Sequence, residues 1–179
     1  MEKSSHRKTF SPLPVSHPEM AAPKTNCGDA EVQFSLGLKF AADQGAAHDY
    51  RQAAEWYHKA AEQNHSLAQF NLGVMYAMGQ GVTRDAAQSA MWFGRAAQLG
   101  DAGAQYHLGD GCHRASVMQA PADAAESRIE AYKWYRLAAA QGYKNSAMVW
   151  SNLTRSMTRA DIATGDQRVA AFEITRARA

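Results

Sequence analysis

Apolar and polar positions recur along this chain with a fixed period. A Leu-Gly pair occurs three times at intervals of 36 residues, as Leu36-Gly37, Leu72-Gly73 and Leu108-Gly109. A glutamine followed by an aromatic residue keeps the same interval, as Gln33-Phe34, Gln69-Phe70 and Gln105-Tyr106. Periods of about 20 to 50 residues are typical of stacked supersecondary units, not of one closed globule. The functional question therefore moves from a catalytic pocket to an extended surface.

The second half of each unit repeats as well. An aromatic pair occurs as Trp56-Tyr57, Trp92-Phe93 and Trp134-Tyr135, the last interval being 42 residues. In the middle unit, Ala68, Leu72, Met75 and Tyr76 fall at i, i+4, i+7 and i+8, one apolar stripe of an α-helix. Gly79-Gln80-Gly81 ends this helix, because glycine permits a positive φ where the chain turns. The pattern predicts two helices per unit.

Capping boxes predict where the second helix of each unit begins. In such a box, the N-cap side chain accepts from N–H groups of the first turn, and the residue three positions on reaches back. This spacing occurs at the aligned place in all three units, as Asp49 with Gln52, Asp85 with Gln88, and Ser127 with Glu130.

The third unit is irregular. It holds six additional residues between Arg114 and Glu126, around Pro121. Asp123 and Glu126 form a second possible capping box. The second helix of this unit therefore begins either at Ser127 or earlier, in which case it projects beyond its neighbours.

Two features predict how the helices pack. Trp92, Ala96 and Leu99 lie on one side of their helix, and a large ring facing small alanines suits close approach to the neighbouring unit. Gly37, Gly73 and Gly109 lie inside the first helices, where glycine costs about 1 kcal/mol relative to alanine. Their recurrence predicts close backbone contact between the two helices of each hairpin.

The chain ends on an atypical unit. A fourth, partial unit contains Ala147 and Trp150 but lacks the Leu-Gly pair. A last helix is predicted from about Thr158, capped with Asp161, with Ile162, Val169 and Phe172 on one face. Atypical terminal repeats cover the open end of a solenoid.

Composition excludes several classes of protein. A net charge of +2 is too small to indicate a nucleic-acid partner. No run approaches the ~18 apolar residues of a membrane span. Residues 1–26 are basic and contain four of the 5 prolines, without the apolar stretch of a secretory signal. They are predicted to be a disordered tail. The lack of a recognisable signal peptide or membrane span favours a cytoplasmic protein. Cys27 and Cys112 occupy different repeat positions, so free thiols are expected.

One cluster has the residue types of a metal or thiol site. Cys112-His113 lies close in sequence to His107 and Asp110. However, His113 lies about 240° round the helix from His107 at ~100° per residue. Cys112 replaces Tyr76 of the previous unit, a core position, so a small buried thiol is the favoured interpretation. No nucleotide loop, zinc signature or catalytic triad is present, and we expect no enzyme activity, cofactor, metal or obligatory small molecule.

The middle unit carries a motif that identifies a family. The motif is Ala68-Gln69-Phe70-x-Leu72-Gly73-x-x-Tyr76-x-x-Gly79-x-Gly81-Val82-x-x-Asp85, followed by Ala90-x-Trp92-Phe93-x-x-Ala96-Ala97-x-x-Gly100. It resembles the Sel-one-like repeat, a relative of the tetratricopeptide repeat. The first unit departs from the motif in its loop at residues 43–46 and at Phe40, and the third departs at Cys112 and in the insertion. The last helix resembles the C-terminal caps of bacterial members.

The resemblance implies an all-α fold, a right-handed α/α solenoid of about three and a half repeats. The predicted organisation is a tail at 1–26, a solenoid at 27–157 and a C-terminal capping helix at 158–179. The family implies a non-catalytic scaffold or adaptor that binds a protein partner, as a peptide or helix, in a concave groove lined by the first helices. The variable positions on those helices are the candidate partner-binding residues: Ser35, Lys39, Asn71, Met75, Met78, His107, Asp110 and His113.

Two other functions stay open. A cysteine-rich secreted branch of the family has been linked to β-lactam hydrolysis, which makes a β-lactam or cell-wall hydrolase the main alternative. That branch carries a cysteine pair in each repeat, and this chain has neither the pairs nor a signal peptide. The third possibility is a regulatory arm of a larger assembly, with the Pro-rich tail or the insertion around Pro121 as the contact.

Overall fold

A computed structural model describes residues 28–42 and 49–178, which contain eight α-helices and no strand. The predicted tail at 1–26, Cys27 and the variant loop at 43–46 lie outside the described residues. In chain order the helices are α1 (Ala30–Ala42), α2 (Tyr50–Glu62), α3 (Ser66–Met78), α4 (Ala86–Gln98), α5 (Ala102–Met118), α6 (Pro121–Ala140), α7 (Ser146–Thr154) and α8 (Arg159–Ala177). None of these helices is long and apolar enough to cross a membrane.

The helices form an all-α solenoid. Helices α1 and α2, α3 and α4, and α5 and α6 pair as hairpins, which are units 1, 2 and 3. The second helix of each unit also packs on the first helix of the next one, so α2 contacts α3, α4 contacts α5, and α6 contacts α7. A first apolar cluster joins units 1 and 2, and a second joins units 2 and 3. The predicted repeat architecture is confirmed.

Acidic N-caps begin two of the second helices where the sequence placed them. The Asp49 carboxylate accepts from the Gln52 backbone N–H at 3.0 Å. Asp85 accepts from the N–H groups of Ala87 and Gln88 at 2.8 and 3.0 Å. The reciprocal half of the box differs from the prediction in unit 1, because the Gln52 side chain donates to the Asp49 carboxylate and not to the backbone. The carboxylates of Asp49 and Asp85 therefore cap these helices.

The start predicted for α6 at Ser127 is wrong. This helix begins at Pro121, which follows the N-cap Ala120, and no side chain caps it. Proline suits the first helical position because the N–H that it lacks would have no partner there. Ser127 lies inside the helix, and its hydroxyl donates to the Gln119 side chain at 2.7 Å. An early start of α6 was the second alternative predicted from the sequence. However, the helix begins before the capping box of Asp123 and Glu126, which therefore does not cap it.

The six inserted residues lengthen the unit 3 hairpin. Helix α5 has 17 residues and α6 has 20, whereas all four preceding helices have 13. A two-residue connection, Gln119-Ala120, replaces the glycine turn of unit 2, in which Gly79 and Gly81 have φ values of 73° and 69°. The hairpin tip exposes Val117 and Met118. The hairpin thus projects beyond its neighbours.

A recurrent glycine gives the aromatic ring of the facing helix room to approach. A Cβ built on Gly37 would lie 2.5 Å from the Tyr57 ring, one on Gly73 would lie 2.6 Å from Phe93, and one on Gly109 would lie 2.8 Å from Tyr135. The helices of each hairpin approach closely at these glycines as predicted, but the predicted backbone contact is replaced by a contact with a ring. The ring of the second helix, and not its backbone, is the group that approaches.

The repeated glutamine ties each unit to its neighbour. The Gln69 amide donates to the carbonyl of Ala61 at 2.9 Å, and Gln105 donates to Ala97 at 3.3 Å. Both carbonyls belong to the last turn of the preceding helix, where backbone acceptors lack helical partners. In units 1 and 3 the glutamine oxygen accepts in turn, from Gln63 and Gln141 respectively.

Unit 2 lacks this second bond because Leu99 occupies the C-cap position of Gln63 and Gln141. The Gln69 Oε1 atom is consequently buried without a hydrogen-bond partner in the described part of the chain. The sequence placed Leu99 beside Trp92 on the packed side of the helix, and this is wrong. Its side chain is 46% exposed, since it follows the last turn of α4.

Helix α8 closes the chain along α6. Thr158 and Asp161 form the predicted capping box, with both reciprocal bonds at 3.2 Å. Its apolar face also agrees with the prediction, because Val169 is buried and Phe172 packs edge-on against Trp134. The helix packs chiefly on α6 and does not form a hairpin with α7. Arg168 holds it there by an ion pair with Glu126 at 2.7 Å.

Replacing Leu99 with glutamine should stabilise the protein. The Leu99→Gln side chain would stand where Gln63 and Gln141 stand and would donate to the buried Gln69 oxygen. We expect the free energy of unfolding in urea to rise by about 1 kcal/mol. Leu99→Met, which has similar size and no amide, is the matched control. Equal stability of the two variants would show that the buried oxygen has another partner.

Two glycine substitutions should have opposite effects. Gly73→Ala would force a methyl group against Phe93, whose buried ring is held by stacking on His107. We expect a loss of about 1–3 kcal/mol in the free energy of unfolding. Gly94 lies inside α4 with nothing within 4 Å of a built Cβ. Gly94→Ala should therefore stabilise by up to about 1 kcal/mol. A neutral Gly73→Ala would contradict the packing argument.

Candidate functional site

The candidate residues lie on α1, α3 and α5, whose outward side we call the first-helix face. Ser35, Lys39 and Met78 are exposed there. Met75 differs, because its side chain is only 4% exposed and belongs to the core that joins units 1 and 2. Met75 belongs to the apolar stripe seen in the sequence. It therefore packs under the first-helix face and is not part of its surface.

Asn71 and His107 occupy one repeat position and contact the preceding unit. The Asn71 side chain hydrogen-bonds that of Tyr57. His107 stacks on Phe93 with the ring centroids 4.8 Å apart and the planes 4° from parallel. Both partners are the rings that lie against the repeated glycines. Val149, the next residue at this position, packs in the cluster that contains Tyr135. These polar candidates therefore serve the junctions between units.

The half-buried His107 is surrounded by charge. Burial lowers the pKa of its imidazole, and the nearby cation of Lys144 adds to this effect. Asp110 acts in the opposite direction. Asp110 itself forms an ion pair with Arg114, with 3.5 Å between Oδ2 and Nε. Because both partners are substantially exposed, this pair contributes little to stability.

Two aromatic residues and a lysine extend this region. The Tyr106 ring lies 6.0 Å from that of His107 and 5.7 Å from that of Tyr143. The Lys144 ammonium lies 5.0 Å from the centre of the Tyr143 ring, and a hydrogen bond with Tyr143 raises the pKa of Lys144. We call this surface the unit 3 patch; it consists of Tyr106, His107, Asp110, Arg114, Tyr143 and Lys144.

Sequence reasoning missed four members of the patch. Tyr106 has the repeated aromatic position, which indicated core and not surface. Tyr143 stands where the other units have His65 and Asp101, which are the N-caps of α3 and α5. Lys144 has a φ of 42°, which is uncommon for a residue other than glycine. Arg114 corresponds to the exposed Met78, and this alignment was the one signal available.

His113 and Cys112 are not part of the unit 3 patch, and their reactive atoms are buried or half-buried. The His113 Nδ1 atom is buried and has no hydrogen-bond partner among the residues that the structure describes. Cys112 is half-buried and packs against the second and third apolar clusters. Burial raises the pKa of its thiol, which disfavours the nucleophilic thiolate. Within residues 28–42 and 49–178, no group of three or more His, Cys, Asp or Glu side chains could hold a metal ion.

A cavity lies away from these residues, between α2 and the end of α3. It has a volume of ≈ 200 Å³ and includes Ala54, Leu72, Tyr76 and Val82 in its lining. None of the eight candidates lines it. It is small for a ligand pocket, which typically measures about 300–1,000 Å³.

The three units match one family model. The Sel1 repeat model matches residues 30–65, 66–101 and 102–143, which together make up more than half of the chain. The chain belongs to the Sel1 repeat family. These matches coincide with the three hairpins, and the resemblance seen in the sequence is confirmed.

Two solved structures share the Sel1 fold. A Sel1 repeat protein from Oxalobacter formigenes is 34% identical, with a TM-score of 0.59, and the match covers 70% of this chain and 90% of that one. A protective antigen of uropathogenic Escherichia coli that displays an SLR fold is 24% identical, with a TM-score of 0.68. That match covers 84% of this chain but only 32% of the antigen, so the chain spans about a third of its length. A search of curated proteins finds no match.

The half-buried imidazole of His107 should make the stability of this Sel1 protein depend on pH. Because the pKa of His107 is lowered in the native state, the unfolded chain takes up a proton at a higher pH than the native chain does. Stability is therefore retained above about pH 6.5 and falls as the pH decreases below that value. His107→Phe keeps a ring on Phe93 without a titrating group. We expect its urea midpoint to fall less than that of the wild type between about pH 7 and 5.5. Parallel curves would exclude His107 as the cause.

Proposed function

We propose that this chain is a non-catalytic interaction module that binds a partner peptide or helix along the first-helix face. Sel1 repeats commonly form protein-interaction scaffolds. The observation that carries the proposal is the unit 3 patch, in which tyrosines, cations and a carboxylate lie together on one side of the solenoid. Tyrosine and arginine are enriched among the residues that dominate binding energy at protein interfaces.

The framework beneath the face supports this function because it is closely packed and repeated. The glycines and rings of each hairpin recur, whereas one exposed repeat position changes from Ala42 in unit 1 to Met78 in unit 2 and Arg114 in unit 3. A repeat protein acquires specificity in this way, with a constant core and a variable surface. Binding would require little conformational change.

Lys144 provides a second argument. A residue other than glycine with a φ of 42° carries conformational strain, and such strain is concentrated at functional sites. With this backbone geometry, the Lys144 ammonium group lies close to Tyr143 and His107. Together with Arg114, it offers two cations to a partner. We therefore propose that the partner segment contains acidic and apolar side chains.

The experiment replaces exposed cations and leaves the junctions between units intact. The patch variant is Arg114→Glu with Lys144→Glu. The control is Arg84→Glu with Arg159→Glu, which has the same change in net charge at exposed positions outside the patch. Asn71 and His107 are kept, because their substitution would also alter the packing of the units. Circular dichroism should be the same for all three proteins.

A displayed library of random peptides would be selected on the wild-type chain. We expect selected peptides to be acidic and to lose at least about tenfold in affinity for the patch variant, or about 1.4 kcal/mol. The control variant should retain its affinity. Equal binding by the patch variant and the control, or no selected peptide, would contradict the proposal. Turnover of nitrocefin above background would instead favour the hydrolase alternative.

A further inference from the structure

The two cores between units are built from the same four repeat positions. In unit 2 these are Ala68, Leu72, Tyr76 and Trp92, which pack in one cluster with Ala53, Ala54 and Tyr57 of unit 1. In unit 3 they are Ala104, Leu108, Cys112 and Trp134, which pack in one cluster with Phe93, Ala96 and Ala97 of unit 2. Each unit thus presents these four positions to the unit that precedes it.

Unit 1 has an apolar residue at all four positions, and no described helix precedes it. These residues are Val32, Leu36, Phe40 and Trp56, which we call the open face. Trp92 and Trp134 are only 2% and 7% exposed. Trp56, which has no described preceding unit, is less buried than either, and the other three side chains are also partly exposed. The difference in exposure between Trp56 and the other two tryptophans indicates how much of Trp56 a covering element would bury.

A terminal repeat normally carries a polar outer face. At the other end of the solenoid, the polar residues Ser151, Asn152 and Arg155 are exposed on or beside α7, together with Met148. The open face of unit 1 does not follow the rule of a polar terminal face, because it retains the apolar residues of an interior unit. Such a surface is typical of an element that is covered in the native protein.

We propose that residues 10–23 of this chain cover the open face. The first support is position. The Gly28 carbonyl accepts from the Gln63 side chain at 2.8 Å, so the chain enters α1 beside the end of α2. Trp56 lies seven residues before Gln63, or about 10 Å along the helix at ~1.5 Å per residue. Five extended residues at ~3.1 Å each reach farther than this, so a segment ending at Pro23 can contact Trp56.

The second support is composition. Residues 10–23 contain four of the 5 prolines of the chain. The same segment contains Phe10, Leu13, Val15 and Met20. Proline-rich segments bind grooves lined by aromatic side chains, because their extended conformation loses little entropy on binding. A covalently attached segment also binds at a high effective concentration.

The third support is charge. Lys59 lies with its ammonium 4.0 Å from the centre of the Trp56 ring, and Lys39 has the repeat position of the buried Met75. The open face is therefore bordered by cations. Glu19 is the one Asp, Glu, Lys or Arg residue between positions 10 and 23, whereas Lys3, Arg7, Lys8 and Lys24 lie outside this segment. The segment thus complements the face in charge.

The experiment observes the indole N–H signals of the four tryptophans in the full-length chain by NMR. Trp56→Phe assigns the relevant signal. The segment variant carries Leu13→Ser, Val15→Ser and Met20→Ser, and the matched control carries Lys3→Ser, Arg7→Ser and Lys8→Ser. We expect the segment variant to shift the Trp56 signal and to increase its relaxation by a soluble paramagnetic agent. The signals of Trp92, Trp134 and Trp150 should stay in place, which also shows that the solenoid remains folded.

An unchanged Trp56 signal in the segment variant would overturn the proposal. So would an equal shift in the control variant, because it would indicate a general effect of the tail. A Trp56 signal that moves with protein concentration, together with a dimer in sedimentation, would assign the face to a second copy of the chain. None of these outcomes depends on the unit 3 patch, so they test the open face separately from partner binding.

Discussion

The contact between a glycine and an aromatic ring sets the geometry of every hairpin in this solenoid. Gly37, Gly73 and Gly109 have no side chain, and the rings of Tyr57, Phe93 and Tyr135 occupy the space that a Cβ would need. The next unit contacts two of these side chains, through a hydrogen bond between Asn71 and Tyr57 and the stacking of His107 on Phe93. One ring therefore determines both the separation of two helices and the junction between two units. This arrangement therefore determines how the side chains of the first-helix face are positioned relative to one another.

The periodic part of the fold could be predicted from the sequence because it depends on local rules. Glycine in a helix interior is costly, so its recurrence had to have a packing reason, and the facing ring supplies it. The caps at Asp49 and Asp85 followed from short-range chemistry in the same way. The start of α6 was ambiguous because two capping boxes competed there. Proline at the first helical position decided the start without either box.

The candidate site was harder to predict because a repeat position does not determine exposure. Lys39 and Met75 share one position, yet the first is exposed and the second is buried against the preceding unit. His107 lies at a variable polar position, but its ring packs against Phe93. Tyr143 and Lys144 belong to a turn, and a φ of 42° at a lysine has no signature in the sequence. Contacts between units decide these cases, and the period alone does not encode them.

Helix α8 breaks the rule that a solenoid unit contacts only its nearest neighbours. It packs along α6, joined by Gly165 against Tyr132 and by Arg168 to Glu126 and Glu130. Near its far end the Arg176 side chain lies against Gly100, at the turn that leaves unit 2. In a linear array with only neighbour contacts, the ends fray independently of the middle. Helix α8 links the end of the chain to the middle of the array. Fraying of the last units would therefore break contacts in both places. The C-terminal half should therefore melt as one cooperative block.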